Sequence, residues 1–319
     1  MSHSRSPRRQ MKSTNDRMIP FVAGIASRIA PEFTARWAER AFLTPGRREA
    51  RPGELRALAT GYPFRVPFAG GHLAAWSWGD GPTVFLAHGW GGSAARMTSL
   101  VEPLVRRGFS AVAYDGPGHG RSDGNTSSII ELTAALRAVA EWTAAADAGA
   151  SHAGAIGHSI GGVAIALAGR QGVRFRRAVF IGTPSSLETP SHELMTLLGL
   201  SDEVRARMQR RIERRFGLVW SQLAVAHSLP DRPLPLLLVH DAGDQAVPVE
   251  ESARIAQLWP GAERMITQGL GHHRIMHDPE VVARISGFIA GVPAANIGIP
   301  GTDDQRRGET RVLLANRGM

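Results

Sequence analysis

The chain has 319 residues, of which 43% are hydrophobic and 20% are charged; this composition is typical of a globular protein and excludes a disordered one. Because the chain has no cysteine, it can form neither disulfides nor thiolate metal sites, and it has no cysteine nucleophile. The formal net charge is +9, but residues 1–17 hold five basic residues and one acidic residue. Outside this segment no basic stripe or nucleic-acid-binding motif is visible, so we expect no nucleic-acid partner.

The N-terminal part of the chain divides into a basic tail at residues 1–17 and a helical segment at residues 18–60. Within the second segment, apolar residues recur four apart and would line one helix face: Ile25, Ile29, Phe33, Trp37 and Ala41. Pro31 interrupts the pattern and predicts two short helices.

No stretch predicts a membrane span. The most apolar one, residues 153–168, contains His158, Ser159 and four glycines, a composition that favours a strand, a turn and a helix. The apolar residues near the N-terminus come late and include Arg28, which suits a signal peptide poorly. We therefore expect a cytoplasmic protein without a membrane span.

Residues 61–292 form the main predicted domain, in which short apolar runs alternate with helical patterns. The predicted strands are Tyr62–Phe68, His72–Trp78, Thr83–Ala87, Ser110–Tyr114, Ala153–Ile156, Arg177–Ile181, Leu234–His240 and Glu263–Ile266. The predicted helices are 95–107, 127–148, 162–168, 251–259 and 279–290. This alternation predicts an α/β fold with a doubly wound, mostly parallel sheet whose functional loops gather at the carboxyl ends of the strands. Residues 293–319 are predicted to form a C-terminal tail.

One interval, residues 183–232, breaks the alternation of strands and helices. It contains a helical pattern at residues 201–216, for which Ser201 suits the N-cap and Gly217 the end. The apolar stripe of this helix is Val204, Met208, Ile212 and Phe216. We expect the interval to form a helical cap over the rim of the site.

The segment Gly157-His158-Ser159-Ile160-Gly161 lies between a short apolar strand and a helix of small residues. This context is typical of the G-x-S-x-G nucleophile elbow, in which a serine occupies the apex of a sharp strand-to-helix turn. The two glycines remove side chains that would clash at such a turn. Ser159 is therefore the candidate nucleophile.

A serine nucleophile needs a base and an acid that orients the base. The candidate base is His272, in a glycine-rich loop after the last strand, and the adjacent His273 is the alternative. The candidate acid is Asp244, just after a strongly apolar strand, with Asp241 as the alternative.

The negative charge that forms on an attacked carbonyl oxygen needs hydrogen-bond donors. We expect the backbone N–H groups of Ile160 and Trp90 to supply this oxyanion hole. His88 and Asp115 have structural interpretations instead, as a buried hydrogen-bonding residue and a turn residue.

Four motifs in order resemble those of the α/β-hydrolase superfamily: His88-Gly89-Trp90-Gly91, Asp115 to Ser122, Gly157 to Gly162, and Asp244 with Gly271-His272. The resemblance covers approximately Tyr62 to Ala290. It implies an eight-stranded, mostly parallel sheet with a helical cap, and hydrolysis through an acyl-enzyme, as in capped serine esterase and lipase-like members.

The expected function is that of a serine hydrolase cleaving carboxylic esters of small molecules with the triad Ser159, His272 and Asp244. The alternatives are an acyltransferase that uses the same triad and a non-catalytic ligand receptor on the same fold. We expect no cofactor, because the glycines after Asp115 do not match the dinucleotide-binding pattern. We also expect no metal, since no acidic residue completes a zinc motif with His273 and His277. The oligomeric state is not indicated.

Overall fold

The computed structural model describes residue 24 and residues 27–47, 49–146, 152–228, 234–293 and 313–314. The predicted tails therefore lie outside the described residues, apart from Pro293 and the pair at 313–314, and so does Ile25. The chain forms two compact units. One comprises the residues up to Phe42 together with Pro190–Leu218, and the other comprises Leu43–Thr189 and the residues from Val219 onward.

The larger unit is built on one sheet with eight main strands: β1 Tyr62–Phe68, β2 Gly71–Trp78, β3 Thr83–Ala87, β4 Ser110–Tyr114, β5 His152–His158, β6 Arg177–Ile181, β7 Leu236–Asp241 and β8 Glu263–Thr267. Their spatial order is β1-β2-β4-β3-β5-β6-β7-β8. The pairs β1–β2 and β2–β4 are antiparallel, and all pairs from β4 to β8 are parallel. A two-residue strand, β9 Leu313–Leu314, extends the sheet beyond β8. The predicted eight-stranded, mostly parallel α/β sheet is confirmed.

The α-helices are α1 Pro31–Phe42, α2 Pro52–Leu58, α3 Val101–Val105, α4 Ile129–Ala146, α5 Ile160–Arg170, α6 Glu188–Leu198, α7 Asp202–Phe216, α8 Glu250–Leu258, α9 Gly271–Arg274 and α10 Pro279–Ile289. Short 3-10 helices lie at Ala94–Leu100, Trp220–Leu223, Val225–Ser228 and Ile275–His277. Within the described part of the chain, none of the helices has the length and apolar character needed to cross a bilayer.

The predicted helix at residues 95–107 is instead a 3-10 helix followed by the short helix α3. Pro103 has no amide hydrogen to donate to the carbonyl group of Ser99, so regular α-helical bonding cannot run through the segment. The glycine-rich loop predicted before His272 also differs, because it closes into the helical turn α9.

The central strands of the sheet are apolar throughout. Every residue of β3 and of β7 is buried, which is expected for parallel strands covered by helices on both faces. One face of the core contains Val84, Leu86, Ile156, Val179 and Leu237. Each such side chain stabilises the fold by about 1.5–3 kcal/mol on burial. The rigid centre of the sheet thus fixes the loops at its carboxyl edge.

In the smaller unit, α1 packs against α7. Ala35 and Ala38 of α1 are buried, and so is the apolar stripe of α7 at Val204, Met208 and Ile212. The Ser201 hydroxyl accepts from the Val204 amide at 3.3 Å, and Gly217 ends α7 in the left-handed conformation, as predicted. The insertion between β6 and β7 is therefore helical.

Candidate active site

Ser159 occupies the single position between β5 and α5. Its backbone has φ 54° and ψ −126°, a strained conformation that is uncommon outside glycine. The Ser159 amide donates to the Ile181 carbonyl oxygen at 2.8 Å, which ties the turn to β6. A half-buried serine is thereby held at the carboxyl end of a buried strand.

Close backbone contacts require glycine on both sides of Ser159. A Cβ atom on Gly157 would lie 2.4 Å from the Gly162 nitrogen, and one on Gly161 would lie 2.3 Å from the Ala87 carbonyl oxygen. Such separations are far inside van der Waals contact, so a side chain at either position would displace the turn. The spacing of the motif follows from this packing.

The candidate acid and the candidate base meet across two loops. Asp244 follows β7, His272 lies in α9 after β8, and the His272 Nδ1 donates to Asp244 Oδ2 at 2.7 Å. The other carboxylate oxygen accepts from the amides of Ala246 and Val247 at 2.8 and 3.0 Å. The bond to Asp244 places a proton on Nδ1, so Nε2 is the acceptor in the neutral tautomer, which is the tautomer that a general base requires.

The environment of Asp244 favours its ionised form. Its side chain is 1% exposed, and burial alone would raise its pKa. The hydrogen bond and charge of His272, followed by the amides of Val247 and Ala246, outweigh burial and hold the pKa of Asp244 below its ordinary value. The carboxylate can therefore orient the imidazole and stabilise its protonated form.

Asp241 and His273, the alternative acid and base, lie elsewhere than the contact between Asp244 and His272. Asp241 Oδ1 accepts from the Gly243 amide at 2.9 Å, and its Oδ2 accepts from the Thr267 hydroxyl and the Leu270 amide, both at 2.9 Å. Asp241 thus joins the ends of β7 and β8, whereas Asp244 contacts the imidazole. His273 is exposed, with its ring centroid 5.1 Å from that of His272.

Ser159 and His272 line the same small cavity of about 30 Å³. This space is enough for about two water molecules. The Ser159 hydroxyl makes no hydrogen bond to His272 within the described residues. Such pairs are often loose without substrate and tighten once it binds. The other lining residues are His88, Gly89, Trp90, Gly92, Arg96, Met97, His158 and His273.

Two backbone amides near Ser159 are available as donors. Ile160 is the first residue of α5, where an N–H group has no acceptor inside the helix. Neither the Ile160 amide nor the Trp90 amide donates to another group in the described chain. Gly89, just before Trp90, packs against the elbow, since a Cβ atom there would lie 2.9 Å from the Ser159 Cβ.

His88 holds the segment before Trp90. Its Nε2 accepts from the Gly116 amide at 2.9 Å, so Nδ1 carries the proton and donates to the Gly89 carbonyl oxygen at 2.8 Å. Burial first, and the charge of Arg96 as well, lower the pKa of His88 to about 4, which keeps the ring neutral at pH 7.

The motif from Asp115 to Ser122 forms a turn beside His88. The Asp115 carboxylate accepts from the amides of Ala94 and Arg121, both at 2.7 Å. The Ser122 hydroxyl donates to the Asp115 carbonyl oxygen at 2.6 Å. Together these bonds satisfy the polar groups of a sharply bent segment, in agreement with the interpretation of Asp115 as a turn residue.

Sequence reasoning missed two residues, His158 and Gly182, that contact the candidate base His272. The His158 Nε2 donates to the His272 carbonyl oxygen at 2.8 Å, and Gly182 lies so close that its Cβ would be 3.1 Å from His272 Nδ1. His158 is part of the elbow motif, so its position beside Ser159 was a usable signal. Gly182 follows β6, and its closeness to His272 leaves no local trace in the sequence.

Three imidazoles could offer nitrogens to a metal ion, since ligand atoms of His158, His272 and His273 lie within 4.8 Å of one another. Imidazole is a preferred ligand of Zn²⁺. His158 Nε2 is already engaged with a carbonyl oxygen, and His272 Nδ1 is engaged with Asp244. A metal ion would also compete for the Nε2 that the base needs, so this cluster fits proton transfer better than metal binding.

Comparison with known proteins points to hydrolases. The family model described as serine aminopeptidase, S33 (Hydrolase_4) matches residues 81–230. A non-heme chloroperoxidase of Streptomyces lividans is 28% identical over 254 residues, which cover 64% of this chain and 91% of the relative.

Solved structures show the same fold at lower identity. An esterase of Pyrococcus furiosus aligns with a TM-score of 0.62 at 19% identity, covering 80% of this chain and 98% of the other. Est1E of Butyrivibrio proteoclasticus, solved with ferulic acid, aligns with a TM-score of 0.55 at 18% identity, covering 72% and 96%. The strand order, the elbow between β5 and α5, and these likenesses show that the chain has the α/β-hydrolase fold.

Proposed function

We propose that the protein is a serine hydrolase that cleaves carboxylic esters of small molecules through an acyl-enzyme intermediate. Ser159 is the nucleophile, His272 the general base and acid, and Asp244 the residue that orients the base. The amides of Trp90 and Ile160 bind the oxyanion. The observation that carries the proposal is the 2.7 Å contact between Asp244 and His272, with His272 lining the same cavity as Ser159.

In the proposed first step, Ser159 Oγ bonds to the ester carbonyl carbon while His272 Nε2 takes the hydroxyl proton. Collapse of the tetrahedral intermediate breaks the ester C–O bond, and the same proton passes to the leaving alcohol. Water then repeats the sequence, giving the carboxylic acid and free Ser159. A donor in such an oxyanion site is worth about 3–4 kcal/mol of barrier.

A fluorophosphonate probe tests the nucleophile, because it reacts covalently with an activated serine. We expect the wild type to be labelled and Ser159→Ala to be unlabelled. Ser221→Ala, which removes an exposed serine, is the matched control and should be labelled like the wild type. Absence of labelling in a wild-type protein of normal circular dichroism would favour a receptor on the same fold.

Product analysis distinguishes hydrolysis from acyl transfer. The enzyme is incubated with a p-nitrophenyl ester in water and in the presence of competing alcohols and thiols. We expect free acid as the main product at all acceptor concentrations. A new ester or thioester as the main product would assign an acyltransferase with the same residues.

Halide oxidation is a second candidate activity, favoured by the 28% identity to a chloroperoxidase across 91% of that protein. Its assay uses hydrogen peroxide, a halide and a carboxylic acid, with a halogen acceptor as the readout. If this activity exceeded ester hydrolysis and was lost in Ser159→Ala, the same site would serve a different main reaction.

We propose that residues 183–232 form the cap that shapes substrate choice. Substitutions there should therefore change the KM values for different esters more than they change kcat. We also propose a cytoplasmic location, which cell fractionation tests.

A further inference from the structure

Helix α1, together with the helical residues 27–29 just before it, has an exposed apolar face that the proposed hydrolase chemistry does not use. Its buried residues, Thr34, Ala35, Ala38 and Glu39, lie on the other side of the helix. The exposed fractions of Ile29, Phe33 and Trp37 are 79%, 72% and 42%. These are three of the residues whose four-residue spacing predicted a common face, and large apolar side chains exposed together mark a binding surface more often than single ones do.

The charges around this face are unbalanced. Both acidic residues of α1 are paired with arginines of α7 in the same unit: Glu32 with Arg207, and Glu39 with Arg211 at 2.6 Å. Two exposed basic residues, Arg28 and Arg36, form no ion pair within the described chain. The apolar face is therefore accompanied by uncompensated positive charge.

The sequence places more positive charge just upstream. Residues 1–17 contain Arg5, Arg8, Arg9, Lys12 and Arg17 against one acidic residue, Asp16, for a net charge of +4. An anionic surface would attract this segment together with Arg28 and Arg36.

These features together suit an anionic lipid bilayer. Aromatic and aliphatic side chains of an amphipathic helix enter the boundary between headgroups and acyl chains, while arginines contact lipid phosphates. A second copy of the chain would complement the apolar residues, but it would place arginines of the same sign against each other, which is unfavourable.

We propose that Ile29, Phe33 and Trp37, accompanied by Arg28 and Arg36, dock the protein peripherally on a bilayer of anionic phospholipid. This docking surface contains none of the proposed catalytic residues, so it does not depend on the proposed hydrolase activity.

Vesicle co-sedimentation of the full chain tests the docking surface. The probes are vesicles of phosphatidylcholine alone and of phosphatidylcholine with phosphatidylglycerol. We expect binding to the anionic vesicles that weakens with salt, and about a tenfold loss of partitioning in Phe33→Ser/Trp37→Ser. Trp142→Ser is the matched control, because Trp142 is 44% exposed on α4, and it should bind like the wild type.

The basic residues are tested separately with Arg28→Glu/Arg36→Glu. We expect about a tenfold loss of binding to anionic vesicles, with little change on neutral vesicles. Equal binding by all variants, or no binding by the wild type at low salt, would overturn the proposal. So would a dimer in analytical ultracentrifugation that Phe33→Ser/Trp37→Ser dissociates, since the face would then belong to a second copy. Circular dichroism and Ser159 labelling report whether each variant is folded.

Discussion

The His158 imidazole lies next to the His272 ring, with centroids 4.6 Å apart, and its Nε2–H donates to the His272 carbonyl oxygen at 2.8 Å. A residue of the elbow thus holds the backbone of His272, the proposed base. Burial, and the nearby His272, keep the pKa of His158 well below its ordinary value, so the ring remains neutral and its tautomer is set by this bond.

Replacing His158 should therefore slow the reaction without weakening substrate binding. His158→Leu removes the donor, and we expect kcat to fall about tenfold because the base loses one of its two anchors. His158→Gln retains an N–H donor and should recover part of the loss. The measurements are kcat and KM with a p-nitrophenyl ester and the rate of fluorophosphonate labelling; equal losses in Leu and Gln variants would contradict a role for this bond.

Substitution of Asp244 should lower kcat far more than substitution of Asp241. Asp244→Asn disturbs the tautomer and orientation of His272, and we expect kcat to fall by about 10⁴ in a folded protein. Asp241→Asn instead weakens bonds to Thr267 and Leu270, so it should lower the free energy of unfolding by about 1–3 kcal/mol and reduce kcat about tenfold or less. Steady-state kinetics and urea unfolding of both variants check this. A reversed pattern would make Asp241 the orienting acid.

Gly182 should be sensitive to a single methyl group. In Gly182→Ala the Cβ would lie 3.1 Å from His272 Nδ1 and 3.2 Å from Asp244 Oδ2, and we expect kcat to fall about tenfold because the pair is pushed apart. Gly217→Ala is the control, since Gly217 has a similar φ of +65° and no atom within 4 Å of the added Cβ. It should lose stability for the same backbone reason and leave kcat unchanged.

Buried histidines should make the fold sensitive to acid. Because the pKa of His88 falls from 6.5 to about 4 on folding, the unfolded chain binds more protons between these values. The contribution of neutral His88 to the free energy of unfolding is complete above about pH 6.5 and is lost as the pH falls towards 4. Between about pH 7.5 and about pH 4.5 we expect the free energy of unfolding to fall by roughly 2–3 kcal/mol for this reason. His119, whose pKa burial lowers to about 3, acts in the same direction.

Asp115 has the opposite effect on the pH dependence of stability. Burial raises its pKa to about 6, so the contribution of its protonated form to the free energy of unfolding is lost as the pH rises. The test therefore compares variants. Urea unfolding of His88→Asn should show a smaller fall between the two pH values than the wild type, even if the variant is less stable at neutral pH. An identical fall would mean that His88 does not titrate on unfolding.

Local patterns predicted the strands closely, because buried parallel strands such as β3 and β6 are short apolar runs bounded by turn residues, and β1 ends at the turn Ala69-Gly70. The bounds of β1, β3, β4 and β6 agree with the prediction to the residue. Motif spacing also predicted which segments reach the carboxyl edge of the sheet, since parallel strands of a doubly wound fold all end there.

Choices between neighbouring residues could not be predicted in the same way. Asp241 and Asp244 belong to one turn, and only the path of the backbone decides which carboxylate faces His272. Local sequence also could not predict which side of α1 is buried. Glu39 of this helix pairs with Arg211, which lies 172 positions later in the chain. The spacing of Phe33 and Trp37 indicated a common face, but which side of the helix is buried depends on that distant pairing.

The strand order has a consequence for synthesis on the ribosome. The elbow can form once β5, β6 and α5 have emerged, whereas His272, 114 residues after His158, comes from near the far end of the domain. A nascent or truncated polypeptide that stops short of α9 would carry the apical hydroxyl of Ser159 without its proposed base. Reactivity would then be among the last properties that this polypeptide acquires, after most of its sheet has been translated.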